Sequence, residues 1–459
     1  MPMVTVTGAD HNFVTLSFDS VANATLAKQL AAAITAGVEG GTILPADSKH
    51  GAPPTLGGAT GEFVQSTNGL TILPHGYKAV VVTAKDAMIF GSGDDGESVL
   101  SSKGNLRFSA TGGSGTVVAG GGDNTVLIPT TDMGDWSINT GNGDDTIPAL
   151  GGGNDTINPG GGQNRVQLGS GNDVMQSSGD DTVLGGTGTE TIAAFGKNQD
   201  LIYGNASDLL FFADQGSATV FGGMGSDTFF GGKGPDLVYG GSAGNNFLSA
   251  GTGAATLFGG GGGDQLFGAG HQGQALHAGG GNETLFGGFS SGADTFYGGT
   301  GSDQIFGGVG NDTFVAGSGS ATITAGTGDD RFMFFNGQAG GSESIQGFAQ
   351  GTDKVDLQGY GKNEVDQALK HQQVVDGNDT ITLSDHTTIT FAGITNLTAS
   401  DFMTSGGVGG GDGGGGGDGH DGGGCGGGDD HGGDHGSGSG LGDDHHESHG
   451  SASDHLFGH

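Results

Sequence analysis

Single apolar positions recur every nine residues between about residues 88 and 333, each held among glycine and polar positions. Residues 222–239 read GGMGSDTFF then GGKGPDLVY, and residues 298–315 read GGTGSDQIF then GGVGNDTFV. The unit is Gly-Gly-x-Gly-x-Asp-x-U-x with U apolar, and a fixed short period outranks local propensity. The glycines suit tight turns that need positive φ. The three residues after the aspartate form a short strand with one inward side chain, U, a place held by Phe229, Val238, Leu266, Leu285, Phe296, Ile305 and Phe314. Because side chains alternate along a strand, the ninth position points outward. It holds Phe221, Phe230, Tyr239, Phe258, Phe267, Phe286, Tyr297 and Phe306. Two repeats close one coil, and coils stacked at roughly 4.8 Å make a rod on the order of 50 to 65 Å long. The predicted fold is all-β, a parallel β-roll or β-solenoid.

The flanks break the period. Residues 1–87 read as a small mixed N-terminal cap, in which Asp19 and Ser20 cap a helix over 21–36 and Gly37 stops it. Leu26, Leu30, Ile34 and Val38 form its apolar face. Strands are predicted at 70–73 and 78–83, after a linker around Pro53 and Pro54. Residues 88–333 are the solenoid and 334–404 a β-rich C-terminal cap, which shields a sheet edge. Residues 405–459 hold Gly, Asp, His and Ser, too little apolar surface to fold, and are expected to be disordered.

Composition sharpens this picture. Of 459 residues 107 are Gly, and 13 Lys+Arg stand against 50 Asp+Glu, a formal charge of -37. A conventional globular core is excluded, nucleic acid and anionic lipid are repelled, and cations become the natural partners. Cys425 is the single cysteine, so no intramolecular disulfide forms. No run approaches a membrane span and no Sec-type leader is visible at the start.

These nonapeptides resemble the RTX family, the calcium-binding repeats of exported bacterial toxins, proteases, lipases and adhesins. The segment over 331–402 resembles the region that follows such repeats in serralysin-type proteases. The resemblance implies that turn carbonyls and repeat aspartates hold several calcium ions between coils, in keeping with the six to eight oxygen ligands calcium prefers. The matching residues are Asp145, Asp155, Asp173, Asp181, Asp227, Asp236, Asp264, Asp294, Asp303, Asp312 and Asp330. Asp294, Asp312 and Asp330 should line one edge, and Asp155, Asp173 and Glu190 another. Ala255, Gln274 and Ala321 interrupt the columns, and the pattern is bent or substituted at Asn245 and Glu283. The competing reading is that the aspartates only satisfy turn amides, as in Asx turns.

The resemblance further implies export by the type I secretion machinery and an extracellular or cell-surface location in a bacterium. The leading functional reading is a calcium-folded structural or adhesive protein of the cell surface or biofilm matrix, partnered by polysaccharide or by itself. An enzyme is not expected. Gly-x-Ser-x-Gly occurs at 240–244 and 288–292 without the helix a nucleophile elbow needs. His446-Glu447 lacks the second histidine of a zinc-protease helix. An exported enzyme or toxin-like protein stays open as an alternative. So does transition-metal binding (Zn2+, Ni2+ or Cu2+) by the tail histidines His420, His431, His435, His445, His446, His449, His455 and His459 beside Cys425. Ice binding wants regular outward threonines, but the third repeat position varies among Met224, Lys233, Thr300 and Val309.

Overall fold

The structure is a computed structural model and describes residues 1–403 apart from 206, 207, 290 and 339. The tail and its histidines lie outside the described residues. Within them the chain winds as a parallel β-solenoid with two long sheets. Sheet I runs from Ile43–Asp47 through Thr60–Gln65, Tyr77–Val82 and Glu97–Ser101, strand by strand, to Ser342–Gln346 and Thr388–Phe391. Sheet II has sixteen strands, from Gly69–Ile72 to Lys354–Gln358. Successive strands alternate between the sheets, so same-sheet neighbours lie about two nonapeptides apart.

Register puts like on like. Leu248, Leu266, Leu285 and Ile305 are consecutive partners in sheet I, and Phe296, Phe314 and Phe332 in sheet II. All seven are buried, and the three phenylalanines stack at 5.1 and 4.9 Å. One inward apolar residue per strand suffices because two sheets share a core one side chain deep. Glycine is required where coils touch: a Cβ on Gly301 would lie 1.2 Å from the Gly281 carbonyl oxygen.

Outward positions form ladders too. On sheet II, Tyr203, Phe221, Tyr239, Phe258, His277 and Tyr297 stack ring on ring at 4.0 to 5.1 Å. On sheet I the ladder is Phe212, Phe230, Phe247, Phe267, Phe286 and Phe306 at 4.8 to 5.6 Å. Phe247 joins from the seventh repeat position.

The parallel ladder begins at Ile43–Asp47, well before the nonapeptides become legible. Strands such as Tyr77–Val82 (YKAVVV) are buried on both faces, because a helix covers the outer one. That helix, α1, spans Val21–Glu39; Ser20 accepts the Asn23 amide at its start, and it ends at Gly40 rather than Gly37. Gly37 is a point of close approach instead, since a Cβ there would lie 2.4 Å from Ile43. Ala24, Ala27, Ala31, Ile34 and Val38 are buried, packed with Val64, Val81, Leu100 and Val118 of sheet I. Leu26 and Leu30 are only half-buried.

At the other end the sense of pairing reverses. Thr388–Phe391 pairs antiparallel with Asn378–Thr382, which pairs antiparallel with Gln373–Val375. A helix, Glu364–Lys370, precedes this hairpin.

Candidate metal-binding turns

Each coil turns twice, and the residue that leads the chain from turn into strand is acidic in most coils. Register sorts these residues into two columns. Along sheet I, Asp155, Asp173, Glu190, Asp227, Asn246, Asp264, Glu283, Asp303, Ala321 and Glu343 follow one another, with Leu209 between Glu190 and Asp227. Along sheet II the order is Asn124, Asp145, Asn164, Asp181, Asp200, Ala218, Asp236, Ala255, Gln274, Asp294, Asp312, Asp330 and Asp353. All eleven aspartates matching the motif are buried, and the edges expected for Asp294–Asp312–Asp330 and for Asp155–Asp173–Glu190 are the ones found.

One carboxylate oxygen has a fixed task, which is to accept the amide of the preceding coil. The Asp155 amide donates to Asp173 Oδ1 at 2.8 Å, Asp294 to Asp312 at 2.8 Å, Asp312 to Asp330 at 2.9 Å and Asn246 to Asp264 at 2.7 Å. The amide-satisfying role is therefore real; in Asp236 and Asp303 it takes both oxygens, the second accepting from Gly232 at 3.4 Å and Gly299 at 3.1 Å, but elsewhere it leaves one unused. The second oxygen, Oδ2, is buried without a hydrogen-bond partner in Asp145, Asp173, Asp181, Asp227, Asp264 and Asp312; both Glu283 carboxylate oxygens are too.

A second clamp runs the opposite way. The residue before the buried acid accepts an amide from the following coil: Asn154 Oδ1 from Asn172 at 2.9 Å, Asp144 Oδ1 from Gln163 at 2.9 Å and Asn311 Oδ1 from Asp329 at 3.0 Å. These turns are thus held from above and below.

Burial without a counter-charge raises the acids' proton affinity. Desolvation pushes Asp145, Asp155 and Asp330 up to about 7, and Asp200, Asp227, Asp236, Asp264, Asp294 and Asp312 up to about 6. Glu97, Glu283 and Glu343 rise to about 8. A file of such carboxylates is a place for a cation or for protons.

Amide side chains show what the carboxylates lack. Gln274 Oε1 accepts the Ala255 amide at 2.7 Å, while its Nε2 donates to the carbonyls of Gly253 and Gln272 at 2.9 and 2.8 Å. Asn124 does the same, Nδ2 donating to Gly122 at 2.8 Å and to Asp145 Oδ1 at 2.9 Å. Here an NH2 group supplies the positive end that turn carbonyls seek. An aspartate in that place brings only acceptors, hard oxygens of the kind calcium takes.

Sequence reading missed Asn124, Asn164, Asp200, Glu343 and Asp353, which hold the same clamps. Asn164 follows GGGQ and leads into RVQ, so its signal was present with Asn for Asp; Asp200 and Asp353 have no glycine frame. Ser242 of the first Gly-x-Ser-x-Gly stretch lies on an exposed turn followed by the strand Phe247–Ser249 rather than a helix. Outside the columns, ligand atoms of the exposed Asp10 and His50 and half-buried Asp47 lie within 4.8 Å of one another.

Among the described residues no helix is long and apolar enough to cross a membrane. No curated protein matches the chain. The RTX calcium-binding nonapeptide repeat matches in four copies, at residues 149–175, 221–243, 240–270 and 290–323, all within the coils just described. With two-repeat coils, parallel sheets and buried carboxylate columns beneath those matches, the chain is a β-solenoid that carries the RTX calcium-binding nonapeptide repeat.

Proposed function

We propose that this chain is an exported bacterial structural or adhesive rod that folds when calcium fills its turn columns outside the cell. The observation that carries this reading is the set of buried Oδ2 atoms left without a partner while Oδ1 clamps the neighbouring coil. Calcium would be held between coils by Asp145, Asp155, Asp173, Asp181, Asp227, Asp236, Asp264, Asp294, Asp303, Asp312 and Asp330 with nearby turn carbonyls. It would supply charge neutralisation and cross-linking. Where Ala255, Gln274 and Ala321 stand, the column is uncharged and no ion is expected. A chain of formal charge -37 resists compaction without cations. In calcium-poor cytoplasm it would stay unfolded, and by linkage it would fold in the millimolar calcium outside. The resemblance to exported repeat proteins supports passage through a type I system.

The test is circular dichroism of the purified chain in chelator and across a calcium titration. A cooperative gain of β signal in calcium, with magnesium a poor substitute because of its compact octahedral demand, is the expected result. Equal spectra with and without chelator at pH 8 would overturn the reading.

A further inference from the structure

The charge of this molecule is unevenly placed. In sheet I the strands Leu209–Phe212, Thr228–Phe230, Phe247–Ser249, Gln265–Phe267, Thr284–Phe286, Ser302–Val309 and Ser320–Thr327 expose only Leu210, Val309, Thr, Ser, Gln, Gly and the phenylalanine ladder. No outward side chain of these seven strands is charged, although the chain has 50 acidic residues. Beside the ladder, the coil between Phe286 and Phe306 is longer than 18 residues and projects Phe289, which is fully exposed. Phe289, the ladder from Phe247 to Phe306 and Gly268, Gly288 and Gly308 line one apolar groove.

We infer that this face of sheet I is a self-association surface whose occupant is a second copy of the same face, with Phe289 of each copy seated in the glycine-floored groove of the other. Three arguments select the second copy. The first is charge: a face without charges is where two strongly acidic rods can approach, since turns carrying the acids stay at the edges. The second is spacing. The rings repeat at 4.8 to 5.6 Å along the axis, and a copy of the same face is commensurate with that repeat, as in paired sheets that interdigitate. A sugar ring is a poor occupant, because the rings, stacked on one another save for the tilted Phe247, offer it mainly edges rather than faces. The third is area. Seven strands at about 4.8 Å and about 10 Å of strand width, plus about 200 Å² for an inserted phenylalanine, bury on the order of 1,100 Å² over both copies. That is the lower limit of a specific interface, so the contact is isologous and weak.

The inference rests on the calcium-folded reading, and the experiment separates the two. Sedimentation velocity of the full chain in calcium, with circular dichroism on the same samples, is run on wild type, Phe289→Ser, the pair Phe267→Ser with Phe286→Ser, and a control pair on sheet II, Tyr239→Ser with Phe258→Ser. Wild type is expected to dimerise at about 10 to 100 µM, the range for an interface of this size. Phe289→Ser, an exposed substitution that leaves the core intact, should keep the β signal and raise the dimerisation midpoint by about tenfold or more; the control pair should leave the midpoint unchanged. A folded wild type that stays monomeric at about 1 mM, well above that range, overturns the inference and leaves the calcium reading standing. So does an unchanged midpoint in Phe289→Ser and the Phe267/Phe286 pair, or equal loss in the control pair. A folded monomer that instead binds the apolar dye ANS, with binding lost in Phe289→Ser, makes the face a small-ligand groove and also overturns it. A chain that calcium does not fold fails the earlier reading first.

Discussion

The carboxylate of Asp312 is divided between two tasks: Oδ1 accepts the Asp294 amide at 2.8 Å, and Oδ2 is buried with no partner among the described residues. Asn in this place would keep the first task and abandon the second, which Asn246 already does by accepting the Asp227 amide at 2.9 Å. Asp312→Asn should therefore raise the calcium midpoint for folding while leaving the metal-free form at pH 5 within about 0.5 kcal/mol of wild type. Asp312→Ala strands the Asp294 amide and should cost about 1 to 3 kcal/mol in both conditions. Denaturant unfolding of the two variants, with and without calcium, separates the clamp from the ion.

Protons should stand in for calcium. Asp145, Asp155, Asp227, Asp312 and Glu343 have folded-state values of about 6 to 8 against ordinary unfolded ones near 4. A raised carboxyl value means the folded state holds the proton more tightly. The stability this confers is complete below the unfolded value and disappears as pH rises through 6 to 8. In chelator the β signal should appear at pH 5 and vanish by about pH 8.5, while in calcium it should hold across that window. A chelated sample with the same spectrum at both pH values would contradict the assignment.

Glu62 offers the same effect away from the repeats. It is fully buried, neither oxygen has a partner, and burial alone pushes it up to about 8. By the same sign, its ionisation penalises the folded state at pH 8 and not at pH 5. Glu62→Leu should stabilise the chain at pH 8 by on the order of 3 kcal/mol and change little at pH 5. A thermal melt at each pH in calcium measures it.

Gln274→Asp tests the interruptions. The change removes the Nε2 donor from the Gly253 and Gln272 carbonyls and adds a carboxylate next to Asp294. The variant should be less stable in chelator by about 1 to 3 kcal/mol and bind one more calcium ion by equilibrium dialysis. An unchanged stoichiometry would mean that a column position needs more than its carboxylate.

The nine-residue period fixed strand phase, and with it the inward row from Phe229 to Phe314 and the outward aromatic row, because a two-state alternation leaves no other choice once U is located. The Asp294–Asp312–Asp330 edge followed from counting. Coils at Tyr77–Val82 and Glu97–Ser101 were illegible as such: their outer residues Val81 and Leu100 are apolar because α1 lies over them, which erases the contrast that marks the repeats. Gly37 misled for a related reason, since the space it leaves for Ile43 is a tertiary demand that a helix-stop signal imitates. Asn124, Asn164 and Asn246 were passed over because a search for charge cannot see a clamp that needs only a carbonyl oxygen.

The clamps running both up and down the turns also bear on ancestry. A coil whose turn amides are met by side chains of the coils before and after it carries little reference to its position in the stack. Duplicating or deleting about 18 residues between two such coils leaves every remaining turn with suitable neighbours, whereas a nine-residue change would swap the two sheets downstream. Length can thus drift by whole coils under ordinary recombination, and a lineage could tune its reach without inventing a single new contact.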